Sequence, residues 1–307
     1  MDYSGKEQVI AAQTLAAAEY YARSGPLEVR CAREESEIRA AQRLRYRIFY
    51  EEMSAKPTPF MVREKRDFDR YDPFCDHLLV IDHERPAEER VVGTYRLLRQ
   101  EVAEAHDGFY SAGEYDLSPL TGSAFRDHMG GKRQLLELGR SCVHPEYRNN
   151  LTISLLWKGI AGYLAEHRIA YMFGCASLPG TDPQAHREAL AYLYHEHRCP
   201  DAFLVRALPE RHVPMDVLKP GEYDVRAARR QLPPLIKGYL RLGCFIGDGA
   251  VVDEQFGTTD VFILLPVEQV SRRYSQRFGV PNSATNDGTA ATPNPDAESG
   301  KRRLAGS

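Results

Sequence analysis

Residues 134–157 read QLLELGRSCVHPEYRNNLTISLLW. Leu135, Leu136, Leu138, Cys142 and Val143 set apolar side chains around Glu137 and Arg140, which predicts a strand. A polar turn follows, His144-Pro145-Glu146-Tyr147-Arg148-Asn149-Asn150. Ile153, Leu156, Trp157 and Ile160 then recur at helical spacing, so a helix starts here with Asn150 or Thr152 as its cap. A strand, a basic turn and a helix N-terminus together offer an anion free backbone N–H groups, a positive dipole end and one Arg. The turn has neither the GK[ST] of a nucleotide-binding loop nor the GxGxxG of a dinucleotide fold. It suits a pyrophosphate or a phosphopantetheine thioester. The same residues also read as an ordinary strand, solvated turn and helix.

The pattern continues on either side. Residues 27–33 alternate Leu27, Val29 and Cys31 with Glu28 and Arg30, a strand. Residues 35–53 carry Ile38, Ala41, Leu44 and Ile48 on one stripe, an amphipathic helix whose other face holds Arg43, Arg45 and Arg47. Residues 54–75 have no period, but Phe60, Phe68, Tyr71 and Phe74 lie among their charges, which predicts an ordered covering loop. Residues 77–82 and 91–98 predict a hairpin. Residues 101–132 read as polar and irregular, with a short-helix start at Leu117-Ser118-Pro119-Leu120, and the central helix runs to about His167. A strand at 169–176 leads to a helix start with Asp182 as cap and Pro183 in the first turn; that helix ends near Cys199. Residues 203–208 read as a strand, 224–242 as a helix broken at Pro233-Pro234, Gly247-Asp248-Gly249 as a turn and 260–265 as a buried strand. The expected class is α/β (α+β), one mixed central sheet flanked by helices over residues 26–280. Residues 1–25 read as an N-terminal helical extension and 281–307 as a disordered tail.

Composition narrows the function. The chain has 307 residues, 43% hydrophobic and 27% charged, which is globular and soluble in character. A net charge of −3 argues against a nucleic-acid partner, although Lys132 and Arg133 form a local basic pair. No apolar run is long enough to span a membrane, and the first residues carry no signal pattern. The six cysteines are scattered without a CxxC pair, so free thiols in a reducing cytoplasm are expected. His195 and His197 stand two apart on a helix and face away from each other, so no metal site is expected there. Ser141 lacks the glycine elbow of a hydrolase and Cys142 has no base near it in sequence, which disfavours a covalent acyl-enzyme.

Several separated residues fall into one pattern. Arg45 and Phe49 sit four apart, Asp69 and Asp72 pair in the aromatic loop, Arg96 lies on the strand VGTYRLL, and Glu137 and Arg140 form Glu-x-x-Arg. In this order and spacing residues 27–150 resemble the GNAT acyltransferases, in the branch of the acyl-homoserine-lactone synthases. Where acetyl-CoA enzymes carry a glycine-rich loop, this chain has Arg148-Asn149-Asn150, a departure that fits an acyl carrier protein donor better than CoA. GCASLPGTD at 174–182, LPPLIKGYLRLG at 232–243, IGDGAVVD at 246–253 and QFGTTDVF at 255–262 look like the bacterial L-ornithine Nα-acyltransferases. That resemblance covers about residues 27–278. It implies transfer of a 3-hydroxyacyl chain from acyl carrier protein to the α-amino group of L-ornithine, giving lyso-ornithine lipid. It implies no cofactor of the protein's own, since phosphopantetheine arrives on the carrier. It also implies a cytoplasmic enzyme, peripheral at the inner membrane, with transient surface contact through its lipid product.

The resemblance also suggests roles. Arg45, Phe49, Val143, Arg148, Asn149 and Asn150 are expected at the acyl-donor and phosphopantetheine side. Glu137, on an apolar strand, reads either as the general base that deprotonates the amine or as a structural partner of Arg140. Arg96 and Arg140 read either as bidentate partners of the acceptor carboxylate or as ion pairs with Glu137 or Asp72. Asp69 and Asp72 read as partners of the acceptor's side-chain ammonium, or as solvated loop residues. Asp248 and Asp260 are further acids, Asp248 also being a turn former. Two rival functions remain at this stage: an autoinducer synthase, against which the distinct second half counts, and a membrane-surface, hemolysin-like protein, against which the lack of a basic amphipathic helix counts.

Overall fold

The computed structural model describes residues 20–131 and 133–269. Its centre is a sheet in the order β1-β2-β3-β4-β6-β7-β10-β9-β8-β5. The strands are β1 Ala22–Ser24, β2 Leu27–Cys31, β3 Asp76–Asp82, β4 Val91–Arg99, β5 Tyr115–Asp116, β6 Gln134–Val143, β7 Ile169–Pro179, β8 Arg206–Ala207, β9 Phe245–Asp253 and β10 Thr258–Pro266. Neighbours are antiparallel except β6–β7 and β8–β9, which run parallel. Parallel strands need a crossover, and between β6 and β7 it is the helix Asn150–Glu166.

Both faces of the sheet are covered, which explains the apolar runs in its central strands. On one face Leu97, Leu136, Leu138, Met172 and Ile263 pack with the helices Asn150–Glu166 (Leu156, Ile160, Tyr163), Arg187–His197 (Leu190, Leu193) and Pro234–Leu242 (Ile236). On the other, Leu98, Leu135, Phe173, Val251 and Phe262 meet Tyr71, Phe109, Tyr115, Leu120 and Phe125. Each such side chain, fully buried, contributes roughly 1.5–3 kcal/mol. The helices named below are α1 Glu35–Tyr46, α2 Pro59–Glu64, α3 Asn150–Glu166, α4 Arg187–His197, α5 Val225–Gln231 and α6 Pro234–Leu242.

One feature of the sheet makes the site. The β6–β7 pairing runs from Gln134↔Ile169 to Glu137↔Phe173 and stops. Beyond it β6 stays with β4, through a register shift between Thr94 and Arg96, while β7 stays with β10. Arg140 sits at φ 50° in the bent part of β6. The two strands therefore splay into a wedge. At its apex a Cβ on residue 174 would lie 2.3 Å from the carbonyl oxygen of Leu138, so only glycine fits there.

Several expectations change. The helix expected over 35–53 is α-helical only to Tyr46; Arg47–Glu52 is a π-helical turn. The cap of α3 is Asn149, whose side chain accepts from the Thr152 N–H at 3.0 Å, not Asn150 or Thr152. Gly247-Asp248-Gly249 is no turn but the interior of β9. Of residues 203–208 only Arg206–Ala207 is a strand, the two-residue β8; Phe203 ends a 3-10 turn that starts at Asp201. The covering loop 54–75 contains α2 and a short 3-10 turn, Asp72–Phe74, and the 101–132 stretch contains helices at Ser118–Thr121 and Ser123–His128. Asp182 caps a 3-10 turn ahead of α4, and Pro233-Pro234 separates α5 from α6. Within the expected helical extension, Ala22–Ser24 is a strand paired with β2; residues 1–19 and the 281–307 tail lie outside the described residues. All six cysteines are free.

Candidate active site

Beside the wedge lies a buried network of three arginines and three aspartates. Arg45 is fully buried on α1. It meets Asp67 and Asp72 at 2.8 Å each. Arg96 on β4 meets Asp69 at 2.7 Å, and Arg140 on β6 meets Asp69 at 3.2 Å and Asp67 at 3.4 Å. Tyr50 donates to Asp67 at 2.9 Å. Buried charges persist when paired and hydrogen-bonded, and this network ties the covering loop to α1, β4 and β6. Burial alone would raise the Asp69 and Asp72 carboxyls; Arg96 and Arg140 outweigh it at Asp69 and Arg45 at Asp72, so both lie below the usual range. The Arg96 and Arg140 guanidiniums also stack over Tyr110, at 5.2 and 4.9 Å from its centroid.

Glu137 is 5% exposed, at the last position where β6 pairs with β7. It accepts from the N–H groups of Tyr110 and Ser111, both at 2.7 Å, and from the Ser111 hydroxyl. Its partners are these donors, not Arg140. Burial raises its pKa, with the Ser111 and Tyr110 bonds opposing. The result is a carboxylate held in one orientation and more basic than usual.

Two cavities adjoin one another here, and Glu137 lines the inner one. The inner one, about 560 Å³, lies in the wedge and includes Phe49, Arg96, Glu137, Arg140, Val143 and Arg148 in its lining. The outer one, about 920 Å³, lies under the covering loop and includes Phe60, Phe68, Asp69 and Arg211. Tyr71, Tyr110, Glu114, Arg140 and Asp253 line both. The wedge side of β6 beyond Glu137 has no strand partner, so it offers unpaired backbone groups to an extended ligand.

The expected site residues divide accordingly. Phe49, Val143, Arg148, Arg96, Arg140 and Glu137 come together around the inner cavity, and Asp69 reaches the outer one. Arg45 and Asp72, expected at the donor and acceptor sides, line neither cavity; they are buried beside the site and paired with each other. Asp69 lines the outer cavity with one oxygen bonded by Arg96 and the other by Arg140. The Asn149 side chain is occupied as the α3 cap, and Asn150 is exposed in the first turn. Arg148 forms a bidentate pair with Glu52, at 2.6 and 2.8 Å. Asp67, Tyr110, Ser111, Glu114 and Asp253 were missed. Asp67 stood beside Asp69 in the acidic loop, but nothing local marks the other four. Burial pushes the Cys142 thiol up to about 12, far from a reactive thiolate. His195 bonds the Leu218 carbonyl and His197 the Tyr192 hydroxyl, each on its own side of α4.

A split sheet with a cavity in the split suits a thioester donor beside an amine acceptor. Residues 44–158 match the family model described as an acetyltransferase (GNAT) domain. The protein is an N-acyltransferase of the GNAT class. The L-ornithine N(alpha)-acyltransferase of Brucella abortus (strain 2308) is 51% identical over 259 residues, 84% of this chain and 90% of that protein. The enzyme of the same name from Rhizobium meliloti (strain 1021) is 49% identical over 265 residues, 86% of this chain and 88% of that one. The chain belongs to the L-ornithine N(alpha)-acyltransferase family. Among solved structures, an N-acyl amino acid synthase from uncultured soil microbes is similar at 12% identity and a TM-score of 0.43, covering 82% of this chain and 98% of that one. Family membership decides against the autoinducer-synthase and membrane-surface readings.

Proposed function

We propose that the protein transfers a 3-hydroxyacyl chain from acyl carrier protein to the α-amino group of L-ornithine, giving lyso-ornithine lipid, the first step of ornithine lipid synthesis. The observation that carries this is the meeting of two cavities beside Glu137, in a chain of this family. The inner cavity takes the acyl-phosphopantetheine arm along the unpaired edge of β6, between Phe49 and Val143. Arg148, with the positive N-terminus of α3 where Asn149 and Asn150 lie, takes the phosphate. No cofactor of the protein's own enters the scheme. The amino acid enters through the outer cavity, its carboxylate facing Arg140, which lines both cavities, and Arg96, which lines the inner one.

Glu137 accepts a proton from the α-ammonium, directly or through water. The free amine attacks the thioester carbonyl, the C–N bond forms, the C–S bond breaks, and the departing pantetheine sulfur takes a proton. Among the described residues no helix is long and apolar enough to cross a membrane. The reading places the enzyme in the cytoplasm, touching the inner membrane as its lipid product leaves.

The test uses purified protein, 3-hydroxyacyl-loaded acyl carrier protein, the matching acyl-CoA and a panel of amino acids. Mass spectrometry of an Nα-acyl-ornithine formed mainly from the carrier supports the proposal. Product from CoA alone, or from neutral amino acids in preference to ornithine, overturns it.

A further inference from the structure

Where the two cavities join, three carboxyl groups lie outside the arginine network. Glu114 and Asp253 line both cavities, and Asp260 lines the inner one. Thr258 and Asp260 share one face of β10, with Asp253 opposite Thr258 on β9 and Ser177 opposite Asp260 on β7. Among the described residues Arg211 alone is ion-paired to any of the three, reaching Glu114 at 2.8 Å. Asp253 uses Oδ1 on the Gln255 and Phe256 N–H groups. Asp260 is 7% exposed; the Thr258 and Ser177 side chains lie close enough to favour its charged form, but among the described residues neither its Oδ1 nor the Thr258 hydroxyl makes a hydrogen bond of good geometry. A buried carboxyl that is poorly matched is costly, and one on a cavity wall, as Asp260 is, gains a partner when a donor enters.

We propose that Glu114, Asp253 and Asp260 form the subsite for the side-chain ammonium of the amino-acid acceptor. This rests on the ornithine reading above and moves its second amine away from Asp69 and Asp72. An alkylammonium brings one positive charge and three N–H donors to a wall that has too few of both. Placement agrees. The Ser111 hydroxyl bonds Glu137 and lies 3.6 Å from the Cys175 sulfur, which lies 3.7 Å from Glu114. The subsite is thus separated from Glu137 by two small side chains, within reach of an acceptor with an amine at each end. The carboxyls also oppose one another: burial pushes Asp260 up to about 6, against the Thr258 and Ser177 side chains, and Glu114 and Asp253 add to the rise. Burial and Asp253 likewise raise Glu114 despite Arg211. A bound cation relieves that repulsion.

The experiment compares ornithine with norvaline, which lacks only the terminal amine, using the full chain and loaded acyl carrier protein. The ratio of their kcat/KM values is read in wild type, Asp260→Asn and Glu114→Gln. Each variant should lower the ornithine-to-norvaline ratio ~10-fold or more, chiefly by raising the ornithine KM. If one variant does not fold, the other reads the same ratio. A wild-type preference for ornithine that survives both substitutions overturns the subsite and leaves the proposed function standing. A wild type that prefers norvaline overturns both.

Discussion

The backbone of Gly174 passes the Leu138 carbonyl so closely that a methyl group would lie 2.3 Å from that oxygen. This is where β6 and β7 part. Gly174→Ala must push the strands apart at the apex, so stability should fall by about 1–3 kcal/mol, the usual range for overpacking, and kcat should fall with it. Thermal unfolding and steady-state kinetics check this. An alanine variant with wild-type Tm and turnover would mean that the apex is not rigid.

Arg45 neutralises Asp67 and Asp72 from below the site. Arg45→Met keeps the volume and removes the charge, leaving two buried carboxylates short of a partner. The expected loss is about 3–5 kcal/mol in urea unfolding, with partial recovery in Arg45→Lys. An unchanged urea midpoint in the Met variant contradicts the structural role assigned here.

Glu137→Gln should lower kcat ~10²–10⁴-fold. Ser111→Ala is the sharper probe. It removes one hydrogen bond that favours the charged form and leaves the two N–H donors. The Glu137 pKa, already raised by burial, should rise further, so the acidic limb of the kcat/KM profile moves to higher pH. A limb that stays in place takes Glu137 out of the titration that controls the rate.

Asp260 gives the apo protein a pH-dependent stability. Its pKa rises from 3.8 unfolded to about 6 folded, burial being the main cause. Between those values the native state holds a proton that the unfolded chain has released, so stability falls as pH rises through that window and levels off above it. The penalty is on the order of 2–3 kcal/mol at neutral pH. Asp260→Asn should therefore be more stable than wild type at pH 8 and nearly equal to it below about pH 4, in matched urea titrations. Parallel curves for the two proteins would contradict this.

Arg148 is held by Glu52 on the surface. To meet a phosphate it must leave that partner. Glu52→Gln should lower the KM for acyl carrier protein by ~2–5-fold, Arg148→Ala should raise it by a similar factor, and salt should blunt both changes. A KM indifferent to both substitutions places the carrier elsewhere.

Much of this architecture was legible in single residues. The strand, turn and helix over 134–157 announced themselves because their periods are local. The wedge did not, because it is an absence of pairing between strands more than thirty residues apart. Gly247 read as part of a turn, yet it lies in β9 because a Cβ there would come within 2.9 Å of Phe262 and of the Val205 carbonyl. The glycine marks close packing, and sequence alone does not distinguish that from a bend. Arg45, Asp72, Glu137 and Arg140 were picked out together, but which of them face a cavity depends on burial. Ser111 and Glu114 sit in a stretch without a period, and only folding carries them to the end of β6.

The sheet behaves as a pair of scissors. One blade is β1-β2-β3-β4-β6, the other β7-β10-β9-β8-β5, and the pivot is the short ladder from Gln134 to Glu137. At roughly 3.3 Å per residue, the free arm of β6 beyond the pivot is about twice as long as the pivot itself. A small rotation at the ladder is therefore magnified at Val143, where the cavity meets Arg148. The width of the mouth is set from behind, by residues such as Leu135 and Ile169 that line neither cavity. Changes in that packing would be felt as a wider or narrower mouth, with every side chain lining the mouth left as it was.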